Sequence, residues 1–308
     1  MSVGDSRAMD RPARLAVGVV SAGRVGSVLG AALTRAGHTV VAASGLSAAS
    51  VRRAERLLPG VPLLPPDEVV RSADLVLLAL PDDALAGMVR GLVATDSLRP
   101  GQIVVHTSGA HGVEILAPAE KAGALPLALH PVMTFTGREE DIERMAHCCV
   151  GVTAATGDDA AWNVGEALVM EMGGEPVRIP EPARPLYHAA LAHGANHLVT
   201  LVADCAELLR GAGIADAERV LGPLLSAALD NVLRQGDRAL TGPVARGDAG
   251  TVRSHLRVLA ERAPEVSASY TALARRTAAR AAGAGLLATD TAADLTGLLD
   301  DHARGADS

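Results

Sequence analysis

The chain has 308 residues, a formal net charge of -7, 49% apolar residues and only 1% aromatics. That length has room for two domains with separate cores, packed mainly by Ala, Val and Leu. The acidic balance without a basic block argues against nucleic acid or an anionic membrane as the main partner, and the scarcity of aromatics argues against a base-stacking platform.

Met1 to Pro12 is polar and unpatterned and reads as a disordered leader. Leu15 to Val20 is a continuous apolar strand that runs into Ser21-Ala-Gly-Arg-Val-Gly26, and a helical period over Val25 to Ala36 follows until Gly37 ends it. Strand, glycine turn and helix in this order form a dinucleotide site, with Ser21 in place of the first glycine of G-x-G-x-x-G. Gly23 leaves room for a pyrophosphate, Gly26 belongs to the same turn, and the N–H groups of Arg24, Val25 and their successors face the anion. The apolar run breaks at Ser21, Gly23 and Arg24, too early for a signal peptide, and no other window approaches a membrane span.

Thr39 to Ala43 is a second buried strand. Where an enzyme selecting NAD places Asp or Glu for the ribose hydroxyls, this chain has Ser44 and Ser47, followed by Arg52 and Arg53. The missing acid favours NADP, with NAD as the alternative; hydroxyls and guanidinium groups suit a 2′-phosphate, although either arginine taken singly reads equally well as a solvated helix face. Strands over 73–80, 102–106 and 124–129 end in Leu80-Pro81, His106-Thr107-Ser108-Gly109 and His130-Pro131. In a parallel sheet these tips open on one crevice, which places Leu80 and Pro81 beside the cofactor and Thr107, Ser108 and His130 among the substrate candidates. Strands over 149–153 and 175–179, with a helix over 160–172 between them, continue the sheet. The alternation defines an α/β class with a Rossmann-type, mostly parallel sheet over residues 13–181.

Beyond Pro180 the strands stop. Helical periods over 184–211, 216–235, 249–261 and 266–282, with a polar tail from about Asp301, make residues 182–308 a second, all-helical domain. Its first helix carries Tyr187-His-Ala-Ala-Leu-Ala-His-Gly-Ala-Asn-His197, in which His188 and Asn196 share a face and His193 and His197 stand one turn apart. No acidic third ligand follows, so no metal is expected. Histidine at positions 188 and 193 suits acid or base work near neutrality, with packed histidines as the plain alternative. Arg246 and Asp248 offer either a carboxylate clamp or a capped loop. Lys121 is the only lysine, which removes Schiff-base chemistry in practice, and the absence of G-K-[ST] removes P-loop hydrolysis. Cys148, Cys149 and Cys205 make neither a disulfide framework nor a zinc spacing, pointing to a reducing cytoplasm.

The stretches Ser21-Ala-Gly-Arg-Val-Gly26, Leu80-Pro-Asp82, His106-Thr-Ser-Gly109, Leu129-His-Pro-Val-Met-Thr-Phe135, Tyr187-His-Ala-Ala190, Ala195-Asn-His197 and Leu240-Thr-Gly-Pro-Val-Ala-Arg-Gly-Asp248 together resemble a family of bacterial Rossmann-like proteins. It is common in actinobacteria, and its C-terminal half is a domain of unknown function. The family is similar to the group holding ketopantoate reductase, β-hydroxyacid dehydrogenases, prephenate dehydrogenase and pyrroline-5-carboxylate reductase. The resemblance implies hydride transfer to or from a small molecule in an interdomain cleft and a homodimer formed through the helical domain. It also implies a catalytic lysine one turn before an asparagine. Asn196 fits the asparagine, but position 192 is alanine, so His193 or His188 is the nearest candidate donor. The expectation is an NADP-dependent oxidoreductase of a small oxo acid or hydroxy acid, ketopantoate-like substrates first. Its rivals are an imine reductase of the pyrroline-5-carboxylate type and a non-catalytic dinucleotide sensor.

Overall fold

The computed structural model describes residues 14–306, so the expected disordered leader lies outside the described residues. The elements in order are β1 (Ala16–Val20), α1 (Arg24–Arg35), β2 (Thr39–Ala43), α2 (Ala48–Leu57), α3 (Pro66–Arg71), β3 (Leu75–Leu78), α4 (Asp82–Ala94) and β4 (Ile103–His106). There follow α5 (Ala117–Lys121), β5 (Leu125–Pro131), α6 (Glu140–Met145), β6 (Cys149–Thr153), α7 (Asp159–Glu171), β7 (Glu175–Arg178) and the long α8 (Arg184–Gly211). The remainder is α9 (Ala217–Gln235), α10 (Gly242–Ala245), α11 (Ala249–Arg262), α12 (Pro264–Gly283) and α13 (Thr289–Ala306). The chain separates into two compact units that meet within α8, at Gly194 and Ala195.

The first unit is one seven-stranded sheet in the order β2-β1-β3-β4-β5-β6-β7. Strands β1 to β5 are mutually parallel, as the unbroken apolar runs require when both faces of a sheet are covered. β6 runs antiparallel to β5 and β7 parallel to β6, so the last two strands reverse the direction of the sheet. One face is packed by Leu29, Leu33, Met145 and Val169, the other by Val69, Leu85, Val89 and Leu116. Each such side chain taken from water contributes roughly 1.5–3 kcal/mol. The order reverses at β1, whose neighbours are β2 and β3, and the crevice beyond the carboxyl ends of β1 and β3 is therefore the topological switch point.

The second unit has its core between α10, α11, α12 and α13, where Leu256, Ala278, Leu295 and Leu299 are buried. Sequence periodicity stops short here: the expected polar tail after Asp301 is the last turn of α13, whose Leu295 and Leu299, one turn apart, face the core. Ala206, Ala217 and Leu221 form a smaller cluster between α8 and α9.

Helix α1 lies very close on β1. A Cβ on Gly26 would stand 2.2 Å from the Ser21 carbonyl oxygen and 3.0 Å from Ala79 Cβ. Neither backbone nor Ala79 can yield, so Gly26→Ala is expected to lower the stability of the first unit by roughly 1–3 kcal/mol, read as a lower urea midpoint with an unchanged slope.

Candidate active site

The glycine turn takes its shape from a serine. Ser21 adopts φ 76°, the left-handed region in which the first glycine of the motif normally sits, at a cost of roughly 1–2 kcal/mol. Ser44 holds it there: its buried hydroxyl accepts from the Ser21 N–H at 2.9 Å and its carbonyl from the Ala22 N–H at 2.6 Å. Ser44 thus braces the turn from beneath. Above the turn the space is open, since a Cβ on Gly23 would meet only Ser21 Oγ, at 3.6 Å. The first free N–H groups of α1, from Arg24, Val25 and Gly26, point into that space. The turn therefore fits a pyrophosphate.

The other cofactor candidates surround it. Leu80 and Pro81 follow β3, Pro81 preceding the first residue of α4, and the Ala79 N–H bonds to the Val20 carbonyl at 3.1 Å. Ser47 caps α2 in a reciprocal pair with Ser50, while Leu46 beside it is fully exposed. Arg52 points to solvent on α2. Arg53, half-buried, is the better placed arginine: burial and the charges of Arg24 and Arg56 pull its pKa below the usual value. Among the described residues, none of Arg24, Arg52, Arg53 or Arg56 meets a carboxylate; Arg56 donates to the Gly137 carbonyl at 2.7 Å.

At the tips of β4 and β5 the histidines separate into two kinds. His106 is wholly buried, accepts from the Ser108 N–H on Nδ1 and donates from Nε2 to the Gly112 carbonyl at 2.8 Å. Its ring is structural, held neutral by burial with a pKa of about 4. Ser108 is buried too, its hydroxyl accepting from the Ala110 and His111 N–H groups, and Thr107 is half-buried beside it. The Glu181 carboxylate accepts from the Val113 and Glu114 N–H groups and fixes the rest of this loop.

His130 is different. Its Nδ1 lies 2.8 Å from the Tyr187 hydroxyl, and its ring stands edge-on to His188 with centroids 6.1 Å apart. Gly109 fits between them: a Cβ there would come within 2.8 Å of His130 Nε2 and 2.7 Å of His188 Cδ2. Burial, then the charges of Arg184 and His188, lower the His130 pKa to about 4 against a smaller opposing pull from Asp82. Burial raises that of Tyr187. The phenol accordingly keeps its proton; with its O–H donated to Nδ1, the single ring proton of the neutral imidazole lies on Nε2, where no bond to the protein forms among the described residues.

Arg184 underlies this arrangement. It is 1% exposed and donates to Thr153 Oγ1 and to the carbonyls of Ser108, Ala128 and Gly151, with no carboxylate bonded to it. Sequence reasoning assigns no role to Arg184 or to Tyr187, although Tyr187 opens one of the stretches that carry the resemblance, because arginine reads as surface and a lone tyrosine in an Ala-rich helix reads as packing. Of the remaining candidates, His193 is exposed near the end of the first unit. Asn196 lies on the α8 segment of the second unit, and Arg246 is exposed in the turn before Asp248, which caps α11.

Residues 1–131 match the model of the Rossmann-like domain and residues 148–277 that of domain of unknown function DUF2520. The chain is thus a Rossmann-like protein with a DUF2520 C-terminal domain. No curated protein matches it. Among solved structures it is similar to a candidate NADP oxidoreductase of Bacteroides fragilis, at 25% identity and TM-score 0.71 over 86% of this chain and 98% of that one. An imine reductase of Myxococcus stipitatus in complex with NADP+ follows at 18% identity and TM-score 0.60, over 85% and 93% of the two chains. Pyrroline carboxylate reductase of Plasmodium falciparum with NADP bound shares the fold at 11% identity and TM-score 0.55, over 92% and 98%.

His106 and His130 set an acid limit on stability. The folded protein keeps both rings neutral down to about pH 4, whereas in the unfolded chain they take up protons near 6.5. Stability from these groups is complete above about pH 6.5 and is lost as pH falls towards 4. Thermal melts across that window are expected to show a falling Tm, and His106→Gln should flatten the slope while lowering Tm at neutral pH.

Proposed function

We propose that the protein is an NADP-dependent reductase of a small oxo acid, acting in the reverse sense as a hydroxy-acid dehydrogenase. The observation that carries this reading is the open glycine turn at the switch point together with a neutral His130–Tyr187 pair at the neighbouring strand tips. The solved structures that share the fold include reductases binding NADP, which supports a dinucleotide in the same place. When bound, the dinucleotide supplies or accepts the hydride. Reduction pushes the carbonyl electron pair onto oxygen, and a proton must reach that alkoxide; His130 Nε2–H donates it and solvent restores it. Tyr187 fixes the tautomer, and His188 flanks the same ring.

The sign of the local field separates the carbonyl reading from the imine one. The buried Arg184 guanidinium favours a developing alkoxide and a substrate carboxylate, and disfavours a cationic iminium. The missing lysine of the resembling enzymes is thereby offset by a neutral donor in a positive field. Selection of NADP over NAD rests on the lack of any acid after β2, where Ser44 and Ser47 stand. His193, Asn196 and His188 stay in the proposal as catalytic candidates, and Arg246 as a substrate-binding one.

We also propose a homodimer through the helical unit. Val199 and Leu201 on α8, and Val220, Leu224 and Leu233 on α9, are exposed apolar side chains along two helices, more than a monomer leaves bare. The second copy presents the same face, as a two-fold interface demands. The three free thiols suit a cytoplasmic setting.

A panel of oxo acids and cyclic imines with NADPH is expected to give turnover with branched 2-oxo acids and little with imines; the reverse preference overturns the carbonyl reading, and no turnover at all favours the sensor. Tyr187→Phe and His130→Ala should each lower kcat on the order of a hundredfold with Tm kept within a few degrees. Light scattering should return twice the 31.3 kDa chain mass, and Leu224→Glu with Leu233→Glu should return one chain.

A further inference from the structure

The loop after β5 reaches back over the edge of the glycine turn, and its chemistry is unlike that of an ordinary connection. Asp141, in the first turn of α6, is 0% exposed, yet one of its oxygens accepts from the Thr136 N–H at 2.7 Å, the Gly137 N–H at 2.7 Å and the Thr136 hydroxyl at 3.1 Å. Arg144 pairs with the other oxygen at 3.3 Å. Burial alone would raise the carboxyl pKa, but these donors outweigh it and hold the group ionised. Charge-assisted bonds of this kind are the strong ones, so the positions of residues 136 and 137 are firmly set.

Gly137, at φ 77°, then lies directly on the arginines. A Cβ there would stand 2.5 Å from Arg53 Nε, 2.8 Å from Arg53 Cδ and 3.3 Å from Arg24 Cγ, and the Gly137 carbonyl accepts from Arg56. Arg24 is the first residue of α1, adjacent to Gly23 in the turn, and Arg53 comes from α2. Two guanidinium stems are thus brought together beside a pyrophosphate-shaped turn with no carboxylate to neutralise them among the described residues. Like charges held side by side without a counter-ion repel, unless a multiply charged anion completes the group.

We propose that the Thr136–Gly137 loop, braced by Asp141, is a positioning device that holds Arg53 and Arg24 as the socket for a phosphomonoester dianion, the cofactor 2′-phosphate. The inference rests on reading the glycine turn as a dinucleotide site and adds to it which residues discriminate and what sets their position. Arg53 and Arg24 touch the phosphate; Gly137 and Asp141 act through them, and Arg56 anchors the loop from the other side. Of the two arginines that the sequence offers for this role, Arg52 is exposed to solvent, and Arg53 is the one that the loop holds.

The test is titration of the full chain with NADPH and with NADH, alongside 2′,5′-ADP and 5′-AMP as fragments. For the native chain NADPH and 2′,5′-ADP are expected to bind more tightly than their partners. Arg53→Ala should weaken NADPH and 2′,5′-ADP about 10–100-fold and leave NADH and 5′-AMP within about twofold. Gly137→Ala, which drives a methyl group into Arg53, and Asp141→Asn, which keeps the shape and removes the charge, should both narrow the NADPH-to-NADH ratio. Arg56→Ala, an exposed change that leaves the core intact, should narrow it less. Parallel weakening of both cofactors overturns the inference, because the arginines would then serve the pyrophosphate. A native preference for NADPH that Arg53→Ala and Gly137→Ala leave untouched also overturns it while sparing the reductase reading. Failure of the native chain to bind either dinucleotide overturns both.

Discussion

A guanidinium buried without a carboxylate is among the costlier groups a fold can contain, and Arg184 is one. Its cost is offset by donation to three carbonyls and a hydroxyl, from the loop after β4, from β5 and from β6. Those bonds tie together strands of opposite direction at the point where the sheet reverses. Burial keeps the His130 ring neutral and the same charge adds to that effect, so one side chain bears on both the geometry and the protonation state of the candidate site. Replacing it would disturb every group that the chemistry invokes.

The glycine turn and the arginine pair form the complementary half of the first unit. There the backbone supplies the recognition: N–H groups at the start of α1, a serine held in a left-handed conformation by Ser44, and open space over Gly23. The phosphate-directed charges come from α1 and α2 and are set by a loop belonging to β5 and α6. Elements far apart in sequence therefore meet around the glycine turn, and the reading proposed above puts the phosphates at β1 and the reacting end at β4 and β5.

Much of the fold was legible because its signals are periodic. Apolar runs such as Leu75–Leu78 admit no other reading than a buried strand, and Gly37 ends α1 where expected, at φ 97°. The reversal at β6 was not legible, since Cys149–Thr153 is as apolar as a parallel strand and direction leaves no mark on composition. Gly23, Gly26 and His130 stood out as residue types whose spacing has a physical purpose. Arg184, Tyr187 and Asp141 did not, because their roles come from burial: Asp141 sits in a charge-rich run that reads as solvated, and only the fold turns it inward. The sequence offers the Ser44 hydroxyl to a 2′-phosphate, and its further part, accepting from the Ser21 N–H, is seen only in the fold.

The central claim is that hydride passes between a dinucleotide in this turn and a carbonyl carbon held beneath His130. It is tested most directly by incubating the full chain with a branched 2-oxo acid and NADPH deuterated at the nicotinamide C4, and reading the product by NMR. The account predicts a 2-hydroxy acid with deuterium on the carbinol carbon, from one face of the cofactor only. Deuterium retained entirely in the cofactor, or a product lacking it, would contradict the account.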